Sequence, residues 1–367
     1  MLPEIDPDIR RARTLPGRFY RDEGLFEAQV DRLFAQSWQW LADIEGLDEP
    51  GRVRPENLLP GCLDEPLVLS RDLTGRLRCF SNICTHRANP VVTREGRHQF
   101  LRCGYHGRCF ELDGRFRSMP GFEAAEDFPG PEDSLAPLNP VCLGPMVFVG
   151  LQAVMDFHDW LAPVRQRLPW FDFDGLEFAP DRSRDYQVEA HWALYCENFL
   201  EGFHIPYVHP GLDSGLAEGG YHTERLENGV LQIGQAAPGE PAFDLPDDSP
   251  EAGQSIAGFY FWLFPNLMLN FYPWGLSLNQ VIPETRHRTR VRFRSYVADP
   301  ARLDQGAGGD LHQVELEDEA VVEAVHRGVQ SRLYDRGRYS PEHEVGVHHF
   351  HRLLVRALGS RDDSAPE

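Results

Sequence analysis

The stretch WALYCENFLEGFHIPYVHP, Trp192 to Pro210, decides how the rest of this 367-residue chain is read. At helical period Glu197, Glu201 and His204 fall at i, i+4 and i+7, so one helix through them would carry all three on one face. His209 lies five residues beyond His204 and would point off that face. Pro206 lacks an N–H and disfavours helix at Ile205, so the chain is expected to bend after His204 and bring the second imidazole beside the first. Two imidazoles and one carboxylate, with the remaining positions open, are the ligand set of a non-haem Fe(II) oxygenase. Two histidines at this spacing also occur at ordinary helix ends beside solvated glutamates, so the reading needs support from elsewhere in the chain.

That support lies upstream. From about Trp40 to Val154 short apolar runs (PLVLS, RLRCFSNIC, RHQFLRCGYHGRCFEL, MVFVGLQ) alternate with Gly, Pro, Asp and Asn, the texture of an all-β module. Within it stand Cys84-Thr-His86, sixteen further residues, and Cys103-Gly-Tyr-His106-Gly107. Each Cys/His pair is flanked by strand-like sequence, so two hairpin loops can close on one metal centre. Two thiolates and two imidazoles describe a structural zinc site or a Rieske [2Fe-2S] centre, whose imidazoles raise its potential. Gly104 and Gly107 bracket His106, as expected where backbone approaches a bulky cluster. Zinc would also leave the second, iron-type site without electrons.

CTH and CGYHG, followed about ninety residues later by ENFLEGFHIPYVH, resemble the large (alpha) subunit of the Rieske non-haem iron oxygenases. Their pattern is C-x-H, C-x-x-H and then N-x-x-D/E-x-x-H-x-x-x-x-H. The resemblance covers nearly the whole chain, including the opening LPGRFYRDEGLFEAQVDRLFAQSWQ. It implies that Cys84, His86, Cys103 and His106 hold the cluster, that His204 and His209 hold the mononuclear iron, and that Glu201 is the carboxylate linking the two centres. Ring-hydroxylating members usually carry Asp at that position, whereas Glu is similar to amine-oxidising monooxygenases.

The third iron ligand is sought on a helix expected from Asp310 to about Leu333. Leu311, Val314, Val321, Val325, Val329 and Leu333 recur at spacings of three and four and define an apolar arc. Asp318 falls in the middle of it, with Glu315 at its edge and Glu317, Glu319 and Glu323 outside. A carboxylate on a core-facing stripe is costly unless paired or metal-bound, which selects Asp318 as the ligand over an arginine ion pair. The resemblance agrees, since the family carries a Glu-Asp pair on its last helix. Before this helix run the strands 256–282 and 286–299. In the second, Arg288, Arg290, Arg292 and Arg294 alternate with Thr289, Val291, Phe293 and Ser295, giving one basic and one packed face. Phe259, Phe261, Trp262, Phe271, Tyr272 and Trp274 are read mainly as core, with some of them lining a cavity suited to a flat ring or a quaternary ammonium.

A net charge of −21 disfavours nucleic acid as a partner and suits a redox partner with a basic patch. No apolar run spans a bilayer and no leader is recognisable, so a cytoplasmic location away from membranes is expected. Seven cysteines scattered over a long chain suit metal ligation in a reducing compartment.

The expected fold is α+β: an all-β Rieske domain, 40–155, inserted in a catalytic domain, 1–39 and 156–367. The resemblance gives the latter a helix-grip (START-like) form, an antiparallel sheet around a long C-terminal helix. It further implies a terminal oxygenase using O₂, a [2Fe–2S] Rieske cluster and mononuclear Fe(II), assembled as a homotrimer. Without a nucleotide-binding fingerprint, electrons must come from a separate NAD(P)H-dependent reductase, with or without a ferredoxin. The ending GRYSPEHEVGVHHFHRLL, 337–354, looks like that of choline- and betaine-type members, which favours hydroxylation or N-dealkylation of a quaternary amine. An aromatic ring-hydroxylating oxygenase is the alternative, and a non-catalytic Rieske electron carrier would not need His204, His209 and Asp318.

Overall fold

The structure, a computed structural model, describes residues 2–209, 216–309 and 311–359. It divides into two compact units, residues 35–153 and residues 1–34 with 154–367.

The unit 35–153 is built from short antiparallel strands: β1 (Trp38–Asp43), β2 (Arg52–Leu58), β3 (Glu65–Arg71), β4 (Leu77–Ser81), β5 (Gly96–Arg97), β6 (Leu101–Arg102), β7 (Cys109–Phe110), β8 (Phe116–Ser118), β9 (Pro137–Leu138), β10 (Val141–Leu143) and β11 (Met146–Gly150). They form sheets ordered β5-β2-β3-β4-β9, β1-β11-β10 and β6-β7-β8. Val53, Val68, Phe80, Phe110 and Leu112 form its core, and Cys84 and Cys103 belong to that same cluster. The chain enters this unit earlier than its texture indicates. Before it, the amphipathic stretch 21–40 forms only a short helix, α1 (Glu23–Gln29), running into a π turn at Val30–Phe34. Trp38 is already strand, because it pairs with Gly150 on β11.

The other unit holds a seven-stranded antiparallel sheet of β12 (Glu177–Val188), β13 (Leu216–Leu226), β14 (Gly229–Ala236), β15 (Ile256–Leu263), β16 (Leu267–Tyr272), β17 (Gly275–Thr285) and β18 (Arg288–Val297), in the order β12-β18-β17-β16-β15-β14-β13. The Gly/Pro/Asp-rich stretch 211–254 contains a strand hairpin, β13 and β14; residues 211–215 lie outside the described part. Helices α2 (Phe157–Arg167), α3 (Trp192–Phe199), α4 (Ile205–Val208), α5 (Leu311–Val329) and α6 (Val345–Gly359) complete the unit. Asp156 caps α2 by accepting the His158 N–H at 2.7 Å, as a helix N-cap should.

Strand parity decides which side chains reach the site. Tyr260 pairs with Asn270, and Asn279 pairs with both Met268 and Phe293, so these residues share one face. Phe259 pairs with Phe271 on the opposite face, where both are fully buried among Trp170, Phe171 and Phe173. The alternation expected for β18 is present, with Thr289, Val291, Phe293 and Ser295 buried. Its arginines are neutralised locally: Arg288 and Arg290 pair with Glu284, and Arg294 pairs with Asp185 at 2.8 Å.

Candidate metal centres

The two cysteine loops are copies of one turn. The Ala88 N–H donates to Cys84 O at 2.9 Å and the Cys84 N–H to Asn89 O at 3.0 Å; Gly107 and Arg108 complete the same two bonds with Cys103 at 3.1 and 2.8 Å. Both turns close with a left-handed residue, Ala88 at φ 56° and Gly107 at φ 77°, a conformational reason for glycine at 107 besides the close approach expected there. Gly104 meets no such demand, since a Cβ there would find nothing within 4 Å. Asn82 braces the first loop by accepting the Val91 and Val92 N–H groups and donating to Val92 O. Arg108, 2% exposed, braces the second through Asp133.

These loops bring Cys84, His86, Cys103 and His106 together. Both thiols are buried, and the imidazoles lie toward the surface with ring centroids 4.7 Å apart. Burial raises the Cys84 pKa. At Cys103 burial is overcome by hydrogen bonds from the Tyr105 backbone, Cys84, the His106 backbone and Asn89, and the pKa falls. The His86 Nδ1 is buried with no hydrogen-bond partner among the described residues. A buried ring nitrogen without a partner, beside a second imidazole and on loops that also carry two buried cysteines, fits a metal cluster.

The second constellation forms where α3 ends. The helix stops at Phe199, before Glu201, so Glu197, Glu201 and His204 do not share one continuous helical face. Glu201 instead closes the next turn: its Oε2 accepts the Phe203 and His204 N–H groups, the latter at 3.1 Å, and its Oε1 accepts His204 Nδ1–H at 2.7 Å. Pro206 sits in the first turn of the separate helix α4, where a missing N–H costs nothing, and so starts a helix rather than bending one. Glu197 points elsewhere and accepts from Tyr20 OH at 2.7 Å.

His209, 1% exposed, lies beside His204 with ring centroids 5.2 Å apart. Asp318 reaches both from α5: its Oδ1 is 2.9 Å from His209 Nε2 and 3.4 Å from His204 Nε2, and it accepts Asn198 Nδ2–H at 2.6 Å. The ligand atoms of His204, His209 and Asp318 lie within 4.8 Å of one another. With each Nδ1 donating to a carboxylate, both Nε2 atoms turn toward the Asp318 oxygen, to which His209 Nε2–H can donate when no metal is there. Three acceptors aimed at one point fit a divalent cation, and the two Nδ1 bonds fix the tautomers that binding requires. Burial opposes charge on His209, but Asp318 and Glu317 outweigh it and raise its pKa.

The sequence reading missed two participants. Glu317, expected to be solvated, accepts His209 Nδ1–H at 2.7 Å and is itself held by Gln313 at 2.8 Å. Asn198 was visible as the first letter of the N-x-x-D/E pattern, but nothing in the sequence pointed it at Asp318. Helix α5 is also rotated from the expected arc. It buries Glu315, Val322, His326 and Val329, leaves Val325 exposed, and ends before Leu333, which is 98% exposed; the expected start at Asp310 lies outside the described residues.

In front of the three donors lies a cavity of about 130 Å³, walled by Tyr221, Tyr260, Tyr272 and Phe293 and bordered by Glu315 and Asn270. Of the aromatics read as mainly core, Tyr272 alone is among these lining residues. Burial raises the pKa of Tyr221, Tyr260 and Tyr272, keeping them as neutral phenols. Burial, with Asp318 and Glu319 nearby, also raises that of Glu315, against the bond it accepts from Tyr195.

Comparison with known proteins agrees with this geometry. Residues 175–360 match the ring hydroxylating alpha subunit (catalytic domain) family, and residues 37–129 match the Rieske [2Fe-2S] domain. The chloroplastic choline monooxygenase of Arabidopsis thaliana is 30% identical over 98% of this chain and 86% of its own length. The carnitine monooxygenase oxygenase subunit of Escherichia coli K12 is 27% identical over 98% and 97%. Among solved structures, a quaternary ammonium Rieske monooxygenase, CntA, described for carnitine oxidation and inter-subunit electron transfer, superposes with a TM-score of 0.76 at 23% identity, covering 97% of this chain and all of that one.

Proposed function

The chain belongs to the alpha subunits of the Rieske non-haem iron oxygenases, and from that premise we propose that it oxidises a small organic cation, a quaternary or closely related amine, in the chamber before His204, His209 and Asp318. When bound, the [2Fe–2S] cluster and the mononuclear iron supply the one-electron and O₂ chemistry that side chains cannot. Cys84, His86, Cys103 and His106 would hold the first, and His204, His209 and Asp318 the second. Residues 40–155 are assigned as the Rieske domain, and 1–39 with 156–367 as the catalytic domain.

The chain's own contribution is recognition and positioning. Glu201 and Glu317 each hold the Nδ1 proton of a histidine, so that both Nε2 atoms stay available. The phenol and phenyl faces of the chamber offer negative π density to an onium group. The observation that carries the proposal is this aromatic wall set directly against the three donors. The cavity's size adds to it: about 130 Å³ is close to the ~150 Å³ of an engineered cavity that takes up benzene, so a small headgroup is favoured over a fused ring. The choline and carnitine monooxygenases among the relatives act on such compounds by name.

Electrons are assigned to a separate NAD(P)H-dependent reductase, and the assembly to a homotrimer in which Glu201 also meets the cluster histidine of a neighbouring copy. The CntA description of inter-subunit electron transfer supports that arrangement. The scattered free thiols favour a reducing, cytoplasmic setting, and among the described residues no helix is long and apolar enough to cross a membrane.

The test is turnover by reduced holoenzyme with choline and with its neutral isostere 3,3-dimethyl-1-butanol. A cation–π contribution of roughly 0.5–2 kcal/mol predicts a clear preference for the cation. Equal use of both, with hydroxylation of simple arenes, would establish the ring-hydroxylating alternative.

A further inference from the structure

One turn before Asp318 on α5 stands Glu315, 3% exposed and lining the same chamber. Its Oε2 accepts Tyr195 OH at 2.7 Å, while its Oε1 is buried with no hydrogen-bond partner among the described residues. A carboxylate withdrawn from water needs a counter-charge or a full set of donors, and one phenol is neither, so burial holds Glu315 toward its neutral acid until a cation stands beside it. Across the chamber, the Asn270 amide oxygen is likewise buried and unpartnered. No lysine or arginine is among the residues lining the chamber. A positive group entering it therefore meets an acceptor prepared for it, a hydroxyl can be taken by Asn270, and a carboxylate brought beside Glu315 finds no lysine or arginine to offset it.

Resting on the reading above, we propose that Glu315 is the counter-charge for the substrate's onium group and that the chamber selects a cationic amine whose remainder is neutral, an amino alcohol rather than an amino acid. Tyr195 is the positioning residue, holding one carboxylate oxygen so that the other faces the ligand. Asp318 is on the same helix face three residues on, which sets the recognised cation beside the reacting centre. Glu319 also has a buried, unpartnered oxygen but does not line the chamber, so it has no such role.

The experiment is calorimetric titration of the anaerobic holoenzyme with tetramethylammonium, choline, carnitine and 3,3-dimethyl-1-butanol, for the wild type and Glu315→Gln. The wild type is expected to bind choline at least tenfold more tightly than carnitine, a comparison that needs no variant. Glu315→Gln should weaken choline and tetramethylammonium by roughly ten- to hundredfold. It should barely change the neutral isostere, a charge-selective loss that a merely structural residue would not produce. Carnitine bound as tightly as choline by the wild type, or choline bound undiminished by a Glu315→Gln protein with an intact cluster spectrum, would overturn the proposal. Failure of every cation to bind while 3,3-dimethyl-1-butanol binds would instead overturn the amine reading on which it rests.

Discussion

Replacing Glu317 probes how His209 is held. The His209 imidazole is 1% exposed and Glu317 stands between its Nδ1 proton and solvent, so water that takes the place of a removed Glu317 supplies a neutral acceptor only. Glu317 fixes that proton at 2.7 Å and is fixed in turn by Gln313, which directs Nε2 toward Asp318 at 2.9 Å as the atom left for a metal. Partners behind metal-bound histidines contribute roughly ten- to hundredfold in metal affinity or activity. Glu317→Gln keeps an acceptor oxygen but loses the charge, and belongs at about tenfold; Glu317→Ala leaves the N–H with no fixed acceptor, only water, and belongs near hundredfold. The assay is iron content per chain after equilibration against graded chelator, read beside the visible spectrum of the cluster. That spectrum should not change, because residues 35–153 form a separate compact unit. Iron retention equal to wild type in Glu317→Ala would show that His209 is not held for a metal in this way.

Ligand assignment makes a second prediction: Cys84→Ser should bleach the cluster absorbance, whereas His204→Ala and Asp318→Ala should keep it and abolish product. Turnover by Asp318→Ala would remove that residue from the ligand set. For the assembly, Cys84→Ser and His204→Ala chains co-expressed into mixed oligomers should recover activity that neither has alone; mixed oligomers verified by mass spectrometry yet inactive would place electron transfer within one chain. At the start of α6, a Cβ on Gly346 would stand 2.3 Å from the Leu200 carbonyl oxygen. Gly346→Ala should therefore cost about 1–3 kcal/mol by overpacking, read as a lowered Tm, and an unchanged Tm would show that α6 can shift without loss.

The candidate donors other than Asp318 could be proposed from the sequence because they are carried by short local patterns: C-x-H and C-x-x-H on matching turns, and two histidines five residues apart. The supporting groups could not, because only tertiary packing brings Glu317 to His209 and Asn198 to Asp318. The phase of α5 failed for a related reason. The arc was drawn through the apolar residues, but the buried face carries His326, which finds His287 as a partner, and Glu315, of which one oxygen accepts from Tyr195 and the other faces the chamber. A buried side chain need only be satisfied, so polarity alone misplaces it. Pro206 was taken as a helix breaker when it begins a helix, and the sequence does not distinguish these roles without the Glu201 turn before it. The chamber aromatics were misjudged by parity: Phe259 and Tyr260 are equally aromatic, and only the pairing of β15 with β16 shows that Tyr260 and not Phe259 faces the donors.

The central claim, that this chain couples a reduced Rieske cluster to oxidation of a cationic amine, is tested most directly by a single turnover. Holoenzyme reduced at the cluster and freed of reductant is mixed with ¹⁸O₂ in the presence or absence of choline, and the cluster absorbance is followed in time. Rapid return of the oxidised spectrum only when choline is present, with ¹⁸O in the oxidised amine, is the predicted result. Re-oxidation at the same rate without choline, with the choline recovered unchanged, would contradict it.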